Sequence, residues 1–211
     1  MNRILRSGLY AITPADPVSD LSRLVADVLV GGAAAVQYRD KSDDEERRAD
    51  EARVLKTLCD TAEVPLIIND DVALAEQTGA GVHLGRDDMA LSEARTQLGP
   101  ERIIGVSCYD SLQRARDAVS GGANYVAFGS FFASPTKPEA VRVSIDLLKA
   151  AKEEIDIPIV AIGGITTDNA GALIAAGADL IAAVSAVFET DDPRRAAERF
   201  AGLFMTVRTE G

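Results

Sequence analysis

The sequence predicts an α/β chain folded as a single (β/α)8 TIM barrel over residues 1–211. Three observations lead there. Eight short apolar runs alternate with longer amphipathic stretches, the pattern of a parallel sheet with crossover helices. The alternation stops after eight units with no ninth, which favours a closed barrel over an open doubly wound sheet. The segments leading into the runs carry a two-unit rhythm of Gly-Ala and Pro, as a barrel with internal pseudo-symmetry would.

The strand-sized runs cover 9–12, 34–38, 66–68, 81–84, 102–106, 125–128, 159–162 and 180–184. Between them, Leu21, Leu24, Val25 and Val28 recur at helical spacing, as do Val54, Leu55 and Leu58. Leu147, Leu148 and Ala151 continue the pattern, followed by Ala172, Leu173 and Ala176. A last helix is expected from Pro193 to about Phe204, with proline in its first turn. Gly32-Ala33, Gly79-Ala80, Gly122-Ala123 and Gly177-Ala178 lead into strands two, four, six and eight. Glycine there suits the left-handed position that ends the preceding helix. Pro65, Pro100 and Pro158 lead into strands three, five and seven, where proline cannot continue a helix.

A chain of 211 residues with 47% hydrophobic content can bury one sizeable core. Its formal charge of -11 disfavours general binding to nucleic acid or to an anionic membrane. An acidic protein that binds phosphates must concentrate positive charge locally, or use a metal and backbone N–H groups. Cys59 and Cys108 are the only cysteines, so a disulfide-stapled scaffold and a cysteine zinc site are excluded. No apolar run reaches transmembrane length, and the expected location is the cytoplasm. Homo-oligomerisation is left open.

In a barrel the site is built from the loops that follow the strands. Gln37, Arg39 and Lys41 alternate at the end of strand two and can present an amide and two cations on one side. Strand three runs into Asn69-Asp70-Asp71, where Asp70 suits a hard cation and Asp71 or Asp70 can cap the next helix. Strand four runs into Gly85-Arg86-Asp87-Asp88, and Asp88 or Asp87 can meet Asp70 across neighbouring strand ends. His83, the only histidine, lies within that strand and is read chiefly as a packed, hydrogen-bonded residue. Ser107-Cys108-Tyr109-Asp110 follows strand five; Ser107 can donate to phosphate, while Cys108 has no apparent base partner. The long connection after strand six holds Phe131 and Phe132, which can cover a flat heterocycle, and Ser134-Pro135-Thr136-Lys137, which offers hydroxyls and a cation. Gly163-Gly164 after strand seven and Val184-Ser185 after strand eight complete the ring, with glycines that let backbone approach a ligand.

These blocks, in this order, resemble the thiamine phosphate synthase family along essentially the whole chain. The matching residues are Gln37-Tyr38-Arg39-Asp40-Lys41, Ile67-Ile68-Asn69-Asp70, Gly81-Val82-His83-Leu84-Gly85 with Asp88, Gly105-Val106-Ser107, Phe128-Gly129, Pro135-Thr136-Lys137-Pro138, the run 161–166 and Val184-Ser185. The resemblance implies a transferase that joins a 4-amino-2-methyl-5-(diphosphooxymethyl)pyrimidine to a thiazole phosphate, giving thiamine phosphate and diphosphate by Mg²⁺-assisted dissociative substitution. It implies that Gln37, Tyr38, Arg39, Asp40, Lys41, Asn69, Ser107 and Lys137 hold the pyrimidine diphosphate. Arg39, Lys41, Ser107 and Lys137 would be the catalytic groups among them. It further implies that Asp70 and Asp88 bind Mg²⁺, and that Ser134, Pro135, Thr136, Gly164, Val184 and Ser185 hold the thiazole phosphate.

The chain departs from the commoner family pattern at Arg86 (for Gln), Asp71 (for Arg), Cys108-Tyr109 (for Thr-His) and Ser134 (for Thr). Two other readings compete. A thiazole tautomerase of the same superfamily would need no metal or diphosphate site. A non-catalytic phosphate-binding regulatory barrel would bind without turnover.

Overall fold

The computed structural model describes residues 5–16, 18–133 and 141–209, with side chains as far as Met205 in the last helix. Eight parallel strands close on themselves in sequence order, β1 pairing with both β2 and β8. The open-sheet alternative is thereby excluded.

The elements run β1 (Gly8–Ile12), α1 (Leu21–Val30), β2 (Ala35–Tyr38), α2 (Glu45–Thr61), β3 (Leu66–Asn69), α3 (Val72–Thr78), β4 (Gly81–Leu84) and α4 (Leu91–Leu98). They continue with β5 (Ile104–Tyr109), α5 (Leu112–Ser120), β6 (Tyr125–Phe128), α6 (Ile145–Glu154), β7 (Ile159–Ile162), α7 (Ala170–Ala175), β8 (Leu180–Ala183), the short α8 (Ser185–Phe188) and α9 (Pro193–Thr209). Side-chain oxygens of Asp44, Asp71, Ser111 and Ser144 accept from backbone N–H groups in the first turns of α2, α3, α5 and α6. The glycines of all four Gly-Ala pairs, Gly32, Gly79, Gly122 and Gly177, have positive φ, as a left-handed helix terminator requires.

Strand ends shift by a single residue in several places, and the larger differences from expectation are at β5 and the last helix. β5 starts at Ile104 and runs on to Tyr109, past the expected end at Val106. Its register against β6 shifts between Ser107 and Tyr109, so Cys108 is the inserted residue of a bulge. The last helix continues beyond Phe204 to Thr209.

The period-2 alternation of each strand sorts its residues into two layers. Outward residues such as Val36, Ile68, Val82, Ile104, Val126 and Ile181 pack against the helices. Inward ones, including Tyr10, Ile12, Ala35, Ile67, Tyr125, Val160 and Leu180, fill the barrel. The inner layer is tight where β5 meets β6. Gly105 pairs with Tyr125, and a Cβ built on Gly105 would lie 1.9 Å from Cζ of the Tyr125 ring. That glycine is the space the buried tyrosine occupies.

Among the described residues no helix is long and apolar enough to cross a membrane.

The Gly105–Tyr125 contact generates a stability prediction. Gly105→Ala should destabilise the protein by about 3 kcal/mol, the upper range for overpacking a core, measured by urea denaturation. A loss below about 0.5 kcal/mol, the scale of a neutral surface change, would show that the interior yields easily there.

Candidate active site

The carboxyl ends of β2, β3, β4 and β5 bring a polar cluster to one mouth of the barrel. Asp70 stands immediately after β3 in the left-handed region, at φ 65°, a conformation Asp adopts more readily than most residues. Its N–H donates to the His83 carbonyl on β4 (2.9 Å). Asp71, the next residue, caps α3 and also pairs with Arg48 (2.6 Å). The two acids divide the work foreseen for them: Asp71 terminates the loop and Asp70 faces the cluster.

Lys41 reaches Asp70 Oδ2 as an ion pair, and Asn69 Nδ2 donates to the same oxygen (2.6 Å). Asp88 accepts from the Gly85 N–H (2.6 Å) and approaches Asp70 to hydrogen-bonding contact. Asp87, the alternative partner, is exposed. Burial raises both carboxyls of the pair. For Asp70 the hydrogen bonds from Lys41, Asp88 and Asn69 outweigh burial and hold it below the ordinary range. For Asp88 burial and the neighbouring Asp70 charge prevail over the Gly85 bond, so its carboxyl is held above that range.

Two carboxylates in contact require a shared proton or a cation between them. No group of three or more His, Cys, Asp or Glu residues able to hold a metal occurs among the described residues. The donor set is thus a pair of carboxylates. It fits Mg²⁺, which usually takes one or two protein carboxylates and completes its shell with water and substrate phosphate oxygens.

Cationic and donor groups flank the pair. The Arg39 backbone is tied to Thr13 on the β1 loop, its N–H donating to Thr13 Oγ1 (2.8 Å) and its carbonyl accepting from the same hydroxyl (3.1 Å). Among the described residues none pairs with the Arg39 guanidinium. Ser107 Oγ lies 2.8 Å from His83 Nε2. Arg114 holds the loop bases from outside, its Nε donating to the Ser107 carbonyl (2.7 Å) and its Nη2 to the Gly85 carbonyl (3.1 Å).

Some expected residues face elsewhere. Tyr38 lies in the outer layer and its hydroxyl donates to Glu51 on α2 (2.7 Å). Asp40 is paired with Arg47 (2.7 Å) and accepts from the Ser42 N–H. Both side chains point away because they alternate with Gln37, Arg39 and Lys41, leaving only their backbone to the mouth. Phe131 is buried in the outer core, so it is not placed to cover a heterocycle; Phe132 is only partly buried against the same core. Cys108 is fully buried, and burial pushes its thiol up to about 12, which removes it as a nucleophile.

On the opposite side, Gly163 and Gly164 have φ of 108° and 60°. A Cβ on either would collide with the loop after β6, at 2.0 Å from Ser130 Oγ and 2.2 Å from the Ala133 carbonyl respectively. Val184 is the N-cap residue of α8, and Ser185 Oγ hydrogen-bonds Glu189 (3.1 Å). Ser134, Pro135, Thr136 and Lys137 lie outside the described residues.

The departures at Arg86 and Tyr109 meet in space. The Arg86 guanidinium sits 4.6 Å from the Tyr109 ring centroid, and the Arg86 N–H donates to the Tyr109 hydroxyl (3.0 Å). Thr13, Arg114, Tyr10 and Tyr125 were not foreseen. Their partners are far away in sequence, and no local motif marks them.

Known proteins resemble the chain along most of its length. The family model described as thiamine monophosphate synthase matches residues 9–187. The chain is 53% identical over 206 residues to the thiamine-phosphate synthase of Thiobacillus denitrificans, covering 96% of this chain and 97% of that one. It is 54% identical over 201 residues to the thiamine-phosphate synthase of Azoarcus, covering 93% and 97%. Thiamine phosphate pyrophosphorylase from Pyrococcus furiosus superposes with a TM-score of 0.87 at 34% identity, over 97% of this chain and 98% of that one. The chain belongs to the thiamine monophosphate synthase family.

Proposed function

We propose that this chain, acting as one catalytic barrel, joins 4-amino-2-methyl-5-(diphosphooxymethyl)pyrimidine to 4-methyl-5-(2-phosphooxyethyl)thiazole or its carboxylated form, releasing thiamine phosphate and diphosphate, together with CO2 when the carboxylated form reacts. The single observation that carries the reading is the contact of Asp70 with Asp88 beside Lys41, on a chain half identical to named thiamine-phosphate synthases. A tautomerase would have no need of that carboxylate pair. Two buried free cysteines suit a reducing cytoplasm.

In this reaction the methylene–oxygen bond breaks with its electron pair leaving on diphosphate, and the thiazole nitrogen lone pair forms the new bond. The nitrogen carries no proton to remove, so a site without a general base is adequate. Gln37 and Asn69 would orient the aminopyrimidine, while Gly164, Val184 and Ser185 would border the thiazole phosphate. Arg39, Lys41 and the Ser107 hydroxyl would meet charge on the departing diphosphate, joined by Lys137 from the loop after β6. Held by Asp70 and Asp88, Mg²⁺ would supply further positive charge to that leaving group. The protein's remaining task is to hold nitrogen and carbon in line and keep water from the cationic pyrimidine.

Purified protein given both substrates and Mg²⁺ should form thiamine phosphate and diphosphate in equal amounts, followed by chromatography. Binding of both substrates without product would instead establish a regulatory barrel. Lys137→Ala should lower kcat/KM by about a hundredfold with an unchanged melting temperature; wild-type kcat/KM would remove that lysine from the mechanism.

Asp88→Asn separates stability from activity. The raised Asp88 carboxyl contributes stability that is present below its unfolded pKa and lost as pH rises through its folded value. Asparagine retains an acceptor for the Gly85 N–H and lacks the charge. The metal-free variant should therefore melt above wild type near pH 7, with the gap closing at acid pH, while turnover falls by about a hundredfold. Mg²⁺ should raise the melting temperature of wild type but not of the variant. A variant that melts lower at neutral pH and still responds to Mg²⁺ would contradict the paired-carboxylate site.

A further inference from the structure

An unbroken hydrogen-bonded chain of five side chains crosses the barrel from β2 to β5. Gln37 Nε2 donates to the Tyr10 hydroxyl (2.8 Å), which contacts the Tyr125 hydroxyl (2.7 Å). The Tyr125 hydroxyl contacts His83 Nδ1 (2.9 Å), and His83 Nε2 contacts Ser107 Oγ (2.8 Å). Tyr10 and Tyr125 are 1% and 0% exposed, and the His83 ring stacks on Tyr125 at 5.5 Å between centroids. The chain links two residues expected to touch the pyrimidine diphosphate.

The chain has a direction. An amide nitrogen only donates, so Tyr10 oxygen accepts from Gln37. Were Tyr125 to donate to Tyr10 as well, the Tyr10 hydroxyl proton would be left without an acceptor among the described residues, at a buried position where an unmade hydrogen bond is costly. Tyr10 therefore donates to Tyr125. Tyr125 then spends its own proton on His83 Nδ1, which must be bare. The ring proton of the neutral imidazole sits on Nε2 and donates to Ser107 Oγ. Ser107 accepts there and keeps its own proton to give outward. Burial holds both phenols well above their ordinary range, so neither titrates under physiological conditions.

We propose that Tyr10, Tyr125 and His83 are positioning residues that fix the Nε2–H tautomer of His83 and thereby commit Ser107 to donate, and Gln37 to accept, toward the bound substrate. With Nε2 committed to Tyr10, Gln37 has its carbonyl Oε1 to offer an amino group. With His83 filling an acceptor site on Ser107, the serine hydroxyl is aimed as a donor at an anionic oxygen. The two ends of one interior chain thus present opposite polarity to an aminopyrimidine and to its diphosphate. The effect on turnover rests on the reaction proposed above; the direction of the chain does not.

His83 is the only histidine in the chain, so tag-free ¹⁵N-labelled protein gives one imidazole signal set. Two-bond ¹H–¹⁵N correlation should show a protonated Nε2 and a bare Nδ1 in the wild type. An Nδ1–H tautomer, or an averaged mixture, would overturn the assigned direction whether or not the protein turns over substrate. Tyr125→Phe removes the donor to Nδ1. The variant should show averaged imidazole nitrogens and a kcat reduced about tenfold, the scale of one oriented hydrogen bond. In a Ser107→Ala background the same substitution should cost clearly less, because the share of the loss carried by that hydroxyl is already gone. Equal losses of kcat from Tyr125→Phe in both backgrounds would reduce Tyr125 to a packing residue.

Discussion

Two carboxylates held in contact at the mouth of the barrel are the constraint to which the rest of the site answers. Left to themselves Asp70 and Asp88 would repel and turn apart. The fold prevents this from both sides. Asp70 is fixed in a left-handed conformation with its N–H on the His83 carbonyl, and Asp88 is anchored on the Gly85 N–H. Strain and like-charge contact of this kind persist only where surrounding structure over-determines them, and they gather at functional sites. Lys41 and Asn69 partly compensate Asp70, so the asymmetry between a depressed and an elevated carboxyl follows from which acid the neighbouring donors reach.

An acidic chain can present this site to phosphates because its cations are placed selectively. Several are consumed by neighbours: Arg47 by Asp40 and Glu51, Arg48 by Asp71, Lys152 by Asp179. Arg39 is held at the mouth by its backbone, with its guanidinium uncommitted among the described residues. The unusual pair Arg86 and Tyr109 also fits. Each stacks on or hydrogen-bonds the other, so the extra cation is partly absorbed by the extra ring, while Asp71 is balanced by Arg48. These substitutions change the rim while leaving the carboxylate pair its local partners.

Much of this was legible because barrels obey short-range rules. Strand runs, helix-ending glycines and the cap at Asp71 follow from local pattern, and the choice of mouth follows from reading what comes after each strand. The alternation that put Gln37, Arg39 and Lys41 on one side also sends Tyr38 and Asp40 to the other, where Glu51 and Arg47 receive them. What escaped depends on residues distant in the chain. The extension of β5 to Tyr109 needs a bulge defined only by its pairing with β6. Phe131 is buried because the loop after β6 folds back on β7, its N–H donating to the Ile162 carbonyl (3.1 Å). The Tyr10–Tyr125 bond joins positions 115 residues apart, and Gly105 is glycine for the sake of a ring on another strand.

The central claim is that the Asp70–Asp88 contact is a divalent-cation site completed by diphosphate. Its most direct test is titration with Mn²⁺ as a surrogate for Mg²⁺, with free Mn²⁺ followed by electron paramagnetic resonance and inorganic diphosphate either present or absent. The account predicts one Mn²⁺ per chain, bound more tightly when diphosphate is present, and no such site when both aspartates are replaced by asparagine. Equal Mn²⁺ binding by the wild type and the doubly substituted protein would contradict it.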